Sequence, residues 1–377
     1  MPHDERTELQ YRIALSMAPA IGPITARKLI EKAGEASDVF KQKREVLEKI
    51  DGIGPHISGS LNASNLLLKA EKEMEFIEKH RISVLYFKDP DYPTRLNQCK
   101  DGPILLYVKG NQGLNPIKSL SVVGTRKASG YGRDLCMQII RGLAELVPGL
   151  VIVSGLAYGI DVMAHRAALE WGLPTVAVLG HGLSTLYPAS NRETAKKIIH
   201  QGALVTDFSS GMGPERNNFL RRNRIIAGMS DATLVVESAE KGGALITAHL
   251  AFHYDRLVFA VPGRTVDSKS AGCNNLIKKN MAALAESAEE IISYLNWDIP
   301  GISHQRPGQE LAFTSLEKKI LLAIEQAPGI TPDGISGITG IPIQEVLAQL
   351  LEMELKDWIS SGPGNCYRAR VSLASHP

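Results

Sequence analysis

Six short apolar runs separated by helical patterns constrain the fold of this chain more than any other feature. Residues 120–123, 151–153, 176–179, 203–206, 232–236 and 257–261 are rich in valine and short, and they lack strict polar alternation. That is the pattern of strands buried on both faces. From about residue 117 to residue 297 such runs alternate with helical patterns. Parallel neighbours in one sheet need right-handed crossovers, so the alternation predicts a doubly wound, mainly parallel α/β sheet. Ligands of such sheets bind in the crevice outside the carboxyl ends of the strands, and the segments that follow the strands should converge there.

Those segments are rich in small residues. Gly124-Thr125-Arg126 follows the first run, Ser154-Gly155-Leu156-Ala157-Tyr158-Gly159-Ile160-Asp161 the second, and Gly180-His181-Gly182 the third. Glu237-Ser238-Ala239-Glu240-Lys241-Gly242-Gly243 and Pro262-Gly263-Arg264 follow the last two. Such a floor lets a chain of phosphates approach the backbone. At the first loop, unpaired amides can face an anion while Arg126 adds a guanidinium fork. A strand-loop-helix turn also uses glycine with no ligand at all. The loop lacks the G-x-G-x-x-G spacing of dinucleotide sites, and the G-x-x-x-x-G-K-[ST] run of P-loops is absent.

A second cluster, Arg216 to Arg224, places four arginines within nine residues around Phe219. Guanidinium groups suit phosphates and a ring suits an unpaired base, the pairing used by single-stranded nucleic-acid sites. A solvated basic turn with Phe219 in the core fits the same residues. The chain as a whole is no polycation: 42 Lys and Arg stand against 40 Asp and Glu, a formal charge of +2, so an anion site has to come from local clustering.

Other features narrow the class. Cys99, Cys136, Cys273 and Cys366 form no C-x-x-C pair, which speaks against a zinc ribbon or a disulfide framework and for a reducing compartment. The N-terminal stretch is polar and no run reaches the ~18 residues of a membrane span, so a cytoplasmic protein without membrane contact is expected. Asp161 and His165 are four apart, as are His249 and His253, and Glu237 and Lys241 close another strand end. No nucleophile, third metal ligand or carboxylate pair accompanies them, so no catalytic residue, metal or cofactor is expected.

The flanks read as separate modules. Residues 1–82 form a helical head with Gly22-Pro23 and Gly54-Pro55 turns that look like helix-hairpin-helix (SAM-like) elements, which hold DNA phosphate or only pack short helices. Residues 83–297 begin with two strands, near 83–87 and 103–108, and continue into the sheet. Pro and Gly mark a linker at 298–313. Residues 314–377 then show three helical patterns, 316–326, 332–338 and 342–355, and a two-stranded wing: a winged helix. Its third helix carries Glu345, Glu352 and Glu354, so phosphate repulsion disfavours groove insertion, and a protein contact or an autonomous capping role is expected instead.

Five ordered motifs give a resemblance. Val122-Val123-Gly124-Thr125-Arg126, the run from Ser154 to His165, Tyr187-Pro188-Ala189-Ser190-Asn191, the run from Arg222 to Gly228, and Gly243-Ala244-Leu245-Ile246-Thr247-Ala248 resemble the DprA/Smf family of DNA-processing proteins. The resemblance implies an extended Rossmann-like domain that binds single-stranded DNA, forms a homodimer and loads RecA recombinase onto incoming DNA in natural transformation. It implies nucleic-acid contacts at Gly124, Thr125, Arg126, Ser154, Gly155, Arg216, Phe219, Arg222, Asn223, Arg224, Lys241 and Gly243, with Arg222 or Arg224 as alternative braces of the loops. The chain departs from the family pattern at Arg216, Leu220, Gly242, Asn280 and Met281, and at His181 and Ser184, which leaves loop detail and partner affinity open. The alternative is a nucleotide-processing enzyme similar to the lysine-decarboxylase-like phosphoribohydrolases. Its P-G-G-x-G-T-x-x-E run is not matched by Lys241-Gly242-Gly243-Ala244, and the non-enzymatic binder is preferred.

Overall fold

A computed structural model describes residues 3–61, 63–297, 313–327, 329–356, 358–362 and 366–369. The expected strands form: β1 (Ser83–Tyr86), β2 (Leu105–Gly110), β3 (Ser119–Val123), β4 (Val151–Ser154), β5 (Thr175–Val178), β6 (Ala203–Thr206), β7 (Ala232–Val235) and β8 (Leu257–Ala260). A further strand, β9 (Ala283–Leu284), has no counterpart among the predicted runs, because two residues carry no period. Among the described residues they make one nine-stranded sheet in the order β1-β2-β6-β5-β4-β3-β7-β8-β9. The neighbours from β6 through β9 pair parallel, while β2 runs antiparallel to β6 and β1 antiparallel to β2. The chain moves outward from β3 through β4, β5 and β6, then crosses back to set β7 on the other side of β3. Strand order therefore reverses between β3 and β7, where a crevice opens beyond the carboxyl ends.

Both faces of the sheet are covered, which explains the unbroken apolar runs. Leu120 and Val122 of β3 point into a layer with Ile139, Ile140, Leu143 and Ile160, while Val123 meets Ile225, Ile226, Met229 and Ala248 on the opposite face. Each such buried aliphatic contributes about 1.5–3 kcal/mol relative to an exposed one. Ser121 is the polar exception. Its hydroxyl donates to the Ile226 carbonyl at 2.7 Å and lies 2.8 Å from the Ser230 hydroxyl, so a small residue seats the Arg216–Met229 helix directly on the central strand.

The helical head shares its core with the antiparallel edge of the sheet. Ile13, Leu29, Ile30, Val39, Met74 and Ile77 pack with Tyr86, Leu105 and Tyr107 of β1 and β2. Residues Met1–Gly301 accordingly form one compact unit and Ile302–Pro377 a second. In the head, Gly22 and Gly54 are extended N-cap residues and Pro23 and Pro55 open helices, where a fixed φ and a missing N–H cost nothing. Lys28 bridges the two turns, with Nζ on the Asp51 carboxylate at 3.0 Å.

The second unit holds helices Ser315–Gln326, Pro332–Thr339 and Ile343–Leu355 and an antiparallel pair, Ile359–Gly362 with Cys366–Ala369. Ile320, Leu321, Ile324, Ile335, Val346, Leu350 and Met353 form its core. On the third helix Glu345 and Glu352 are exposed, as the acidic sequence implies. No helix among the described residues is long and apolar enough to cross a membrane.

Candidate nucleic-acid interface

The segments after β3, β4, β5 and β6 do converge. Gly159, after β4, lies so close to the β3 loop that an added Cβ would collide with the Thr125 carbonyl and the Arg126 backbone. Gly180, after β5, lies under Phe219, whose Cδ1 would stand 2.7 Å from an added Cβ. Arg126 is exposed and its guanidinium carbon lies 5.4 Å above the centre of the Phe219 ring. A loop and a helix ninety residues apart in sequence thus place a cation over an aromatic ring at one mouth of the crevice.

Two of the three amides of the backbone cradle expected at Gly124-Thr125-Arg126 are already engaged within the protein. Thr125 N donates to the Glu237 carbonyl at 2.7 Å, Lys127 N to Thr125 Oγ1 at 3.2 Å, and the Gly124 amide to the Asp161 carboxylate. Ser129 caps the Gly130–Leu146 helix, accepting from Gly132 N at 3.0 Å, and gives its own N–H and hydroxyl to the Glu237 carboxylate at 2.8 and 2.5 Å. Glu237 is 3% exposed and fills the helix N-terminus where a dinucleotide fold seats its pyrophosphate. A second anion there would meet a carboxylate. Gly124 serves packing instead, since a Cβ would come within 2.5 Å of Ile160 Cγ1.

The arginine cluster divides by depth. Arg216 and Arg221 are exposed, and Arg221 lies 5.2 Å over the Phe208 ring. Arg222 is 3% exposed: its guanidinium donates to the Gly155 carbonyl at 2.7 Å and to the Val178 carbonyl, clamping the ends of β4 and β5. Burial lowers its pKa to about 10, with Asp161 opposing. Arg224 is 7% exposed and pairs with Asp207 and the Asp101 carbonyl. Asn223 is buried and donates to the Gly243 carbonyl at 3.3 Å. Ser154 is buried with its hydroxyl on the Val122 carbonyl at 2.6 Å, and Gly155 is buried beneath Arg222. These five, expected as contacts, are buried and make hydrogen bonds inside the protein, with Arg222 Nε left buried and unpartnered. Lys127, Lys241 and Gly243 are exposed.

The titratable pairs are likewise internal. Burial raises the Asp161 pKa, opposed by Arg222 and by the Ala157 and Gly124 amides that the carboxylate accepts from. His165 is fully buried, with Nδ1 2.7 Å from Thr175 Oγ1, and burial together with the Arg222 charge pushes its pKa down to about 3. His253 Nδ1 bonds the His249 carbonyl at 2.6 Å, and among the described residues no group of His, Cys, Asp and Glu could hold a metal.

Two residues beside the site escaped the sequence reading. Tyr187, after β5, lies 5.6 Å from Phe219 between ring centres, and Tyr158, after β4, lies 6.5 Å from Tyr187. Their signal was their place: each is an aromatic residue in a segment following a central strand.

Comparison with known proteins agrees with this architecture. Residues 83–296 match the family model for DNA recombination-mediator protein A, and residues 304–365 match the DprA winged helix domain. Protein Smf of Synechocystis is 31% identical over 97% of this chain and 99% of its own length, and Protein Smf of Escherichia coli is 39% identical over 74% and 75%. Among solved structures, DNA processing protein A of Streptococcus pneumoniae aligns with a TM-score of 0.63 at 31% identity, covering 75% of this chain and 97% of that one. The Helicobacter pylori protein, solved for its single-stranded DNA binding mode, aligns at 0.52 with 28% identity, covering 58% and 97%. With one family model spanning more than half of the sequence and a relative matched over nearly all of it, the chain belongs to the DNA recombination-mediator protein A (DprA/Smf) family.

Proposed function

We propose that the strand-end face binds single-stranded DNA and does so without chemistry of its own. The observation that carries this reading is the Arg126 guanidinium over the Phe219 ring, with Lys127, Arg216 and Lys241 exposed on the segments around the crevice. Cationic side chains take phosphates and the ring takes an unpaired base, a combination suited to a flexible strand. Glu237 at the Gly130–Leu146 helix start favours this reading over a mononucleotide enzyme, since the ordinary phosphate seat is already occupied by a carboxylate. Asp161 and His165, the residues that an acid-base mechanism would need, are spent on loop and sheet contacts. The single-stranded DNA binding mode named for the Helicobacter pylori relative supports the same polymer. In this reading the bound strand passes to a RecA-type recombinase and two copies act together; both steps come from the family resemblance.

The test is a fluorescence titration with labelled oligo-dT, run beside duplex DNA and free nucleotides. Oligo-dT should bind with an affinity that falls with salt, duplex more weakly, and mononucleotides not at all. Arg126→Ala and Arg216→Ala should each reduce the slope of log K against log salt by about 0.7. Unchanged binding by the double variant would sink the site.

A further inference from the structure

We propose that Tyr187 and Tyr158 continue the stacking surface that begins at Phe219, so that the site holds a run of unpaired bases and not one. The inference rests on the single-stranded DNA reading and deepens it. Three consecutive strand-end segments each contribute one ring, in spatial order Phe219, Tyr187, Tyr158, and the row starts at the Arg126 cation.

Exposure separates this row from an ordinary aromatic core. Tyr187 is 41% exposed and Tyr158 46%, although the two rings already pack edge-on at 81°. Among the described residues neither phenol makes a hydrogen bond, so the rings are not held there as donors.

What holds them is backbone. Tyr187 N donates to His181 Nε2 at 3.1 Å; His181 is buried, with Nδ1 on the Gly182 carbonyl at 2.9 Å and its own carbonyl accepting from Thr206 Oγ1 at 3.0 Å. Tyr158 precedes Gly159, which is wedged against the Thr125 and Arg126 backbone. Both rings are therefore presented on fixed chain beside a phosphate-binding cation, with solvent-facing apolar surface left over. A base offers a π-face whatever its identity, so such a row accepts any sequence of an unstacked strand. Duplex DNA, whose bases are already stacked on one another, gains nothing from it.

Anisotropy titrations should use labelled oligo-dT and an abasic oligomer of equal length, which keeps the phosphates and sugars and lacks the bases. Tyr158→Ala and Tyr187→Ala should each weaken oligo-dT binding about 5- to 150-fold with the salt slope unchanged, because rings and not charges are removed. Tyr158→Phe and Tyr187→Phe should bind like the unaltered protein, and all five proteins should bind the abasic oligomer equally. Alanine variants that bind oligo-dT as well as the unaltered protein, while Arg126→Ala weakens it, would overturn the tyrosine row and leave the DNA reading standing. Equal losses on the abasic oligomer would also overturn it, since no base is then involved. Failure of the unaltered protein to bind oligo-dT would remove both readings.

Discussion

Arg126 and Arg224 carry the same charge and differ in everything around it. Arg126 stands in solvent over an aromatic ring; Arg224 is sealed against Asp207, whose own side chain is 5% exposed and whose Oδ1 already lacks a partner. Removing one member of a buried ion pair leaves the other uncompensated, at a cost of about 3–5 kcal/mol. Arg224→Ala should therefore lower stability by that order in urea unfolding, while Arg126→Ala stays within about 1 kcal/mol and weakens DNA binding instead. An Arg224→Ala protein as stable as the parent would show that the brace is not one. Part of this division was legible. Arg222 stands three and four residues before Ile225 and Ile226, on the stripe that faces the sheet, so its helical phase already predicts burial. For Arg224 the partners, Asp207 and Asp101, come from other segments, and no local pattern announces them.

At the scale of elements, the sheet was readable because its central strands are covered on both faces and so remain apolar throughout. The direction of β1 and β2 was not, since an antiparallel edge sharing its core with the head leaves no mark in the two runs themselves. The β3 loop was half readable. Its position at the crevice followed from the strand rule, but the fate of its amides depended on Glu237 and Asp161, which reach it from other strand ends. This tight crossing of loops makes Gly159 a sharp test. Its φ of +77° and ψ of −128° suit only glycine, and a Cβ would strike the Thr125 carbonyl. Gly159→Ala should cost roughly 2–5 kcal/mol from strain and overpacking combined, and should weaken oligo-dT binding as the Arg126 loop is displaced. Urea unfolding and the DNA titration read the two effects separately; a variant unchanged in both would mean that the β3 and β4 segments do not depend on this contact.

For the molecule as a whole, two compact units with different titratable interiors should respond differently to acid. The first contains His165, whose folded pKa of about 3 lies far below the ordinary 6.5, and His181, lowered by burial in the same direction. Between those two pH values the unfolded chain takes a proton that folded His165 refuses. Stability is therefore complete above about pH 6.5 and falls as pH drops, by about 1.4 kcal/mol per pH unit for that one group. Asp161 acts in the opposite sense, because burial raises its pKa and folding then favours the protonated form. Among its described residues the second unit has no histidine, and its buried Glu317 is opposed by burial but held below 4.5 by hydrogen bonds from Lys356 and Thr314, so its contribution persists until the pH falls below that value. Calorimetry from pH 7 to pH 5 should thus leave the transition of the second unit in place. His165→Asn, which can keep a hydrogen bond to Thr175, isolates the group: its absolute stability will be lower, but the pH slope of the first unit should become shallower than the parent's by about 1 kcal/mol per unit averaged over pH 7 to 5, approaching about 1.4 at the acid end. Asp161 and His181 are common to both proteins and cancel in that difference. Parallel slopes for the two proteins would mean that the His165 imidazole accepts a proton without unfolding, and that the sheet around Thr175 admits a charge.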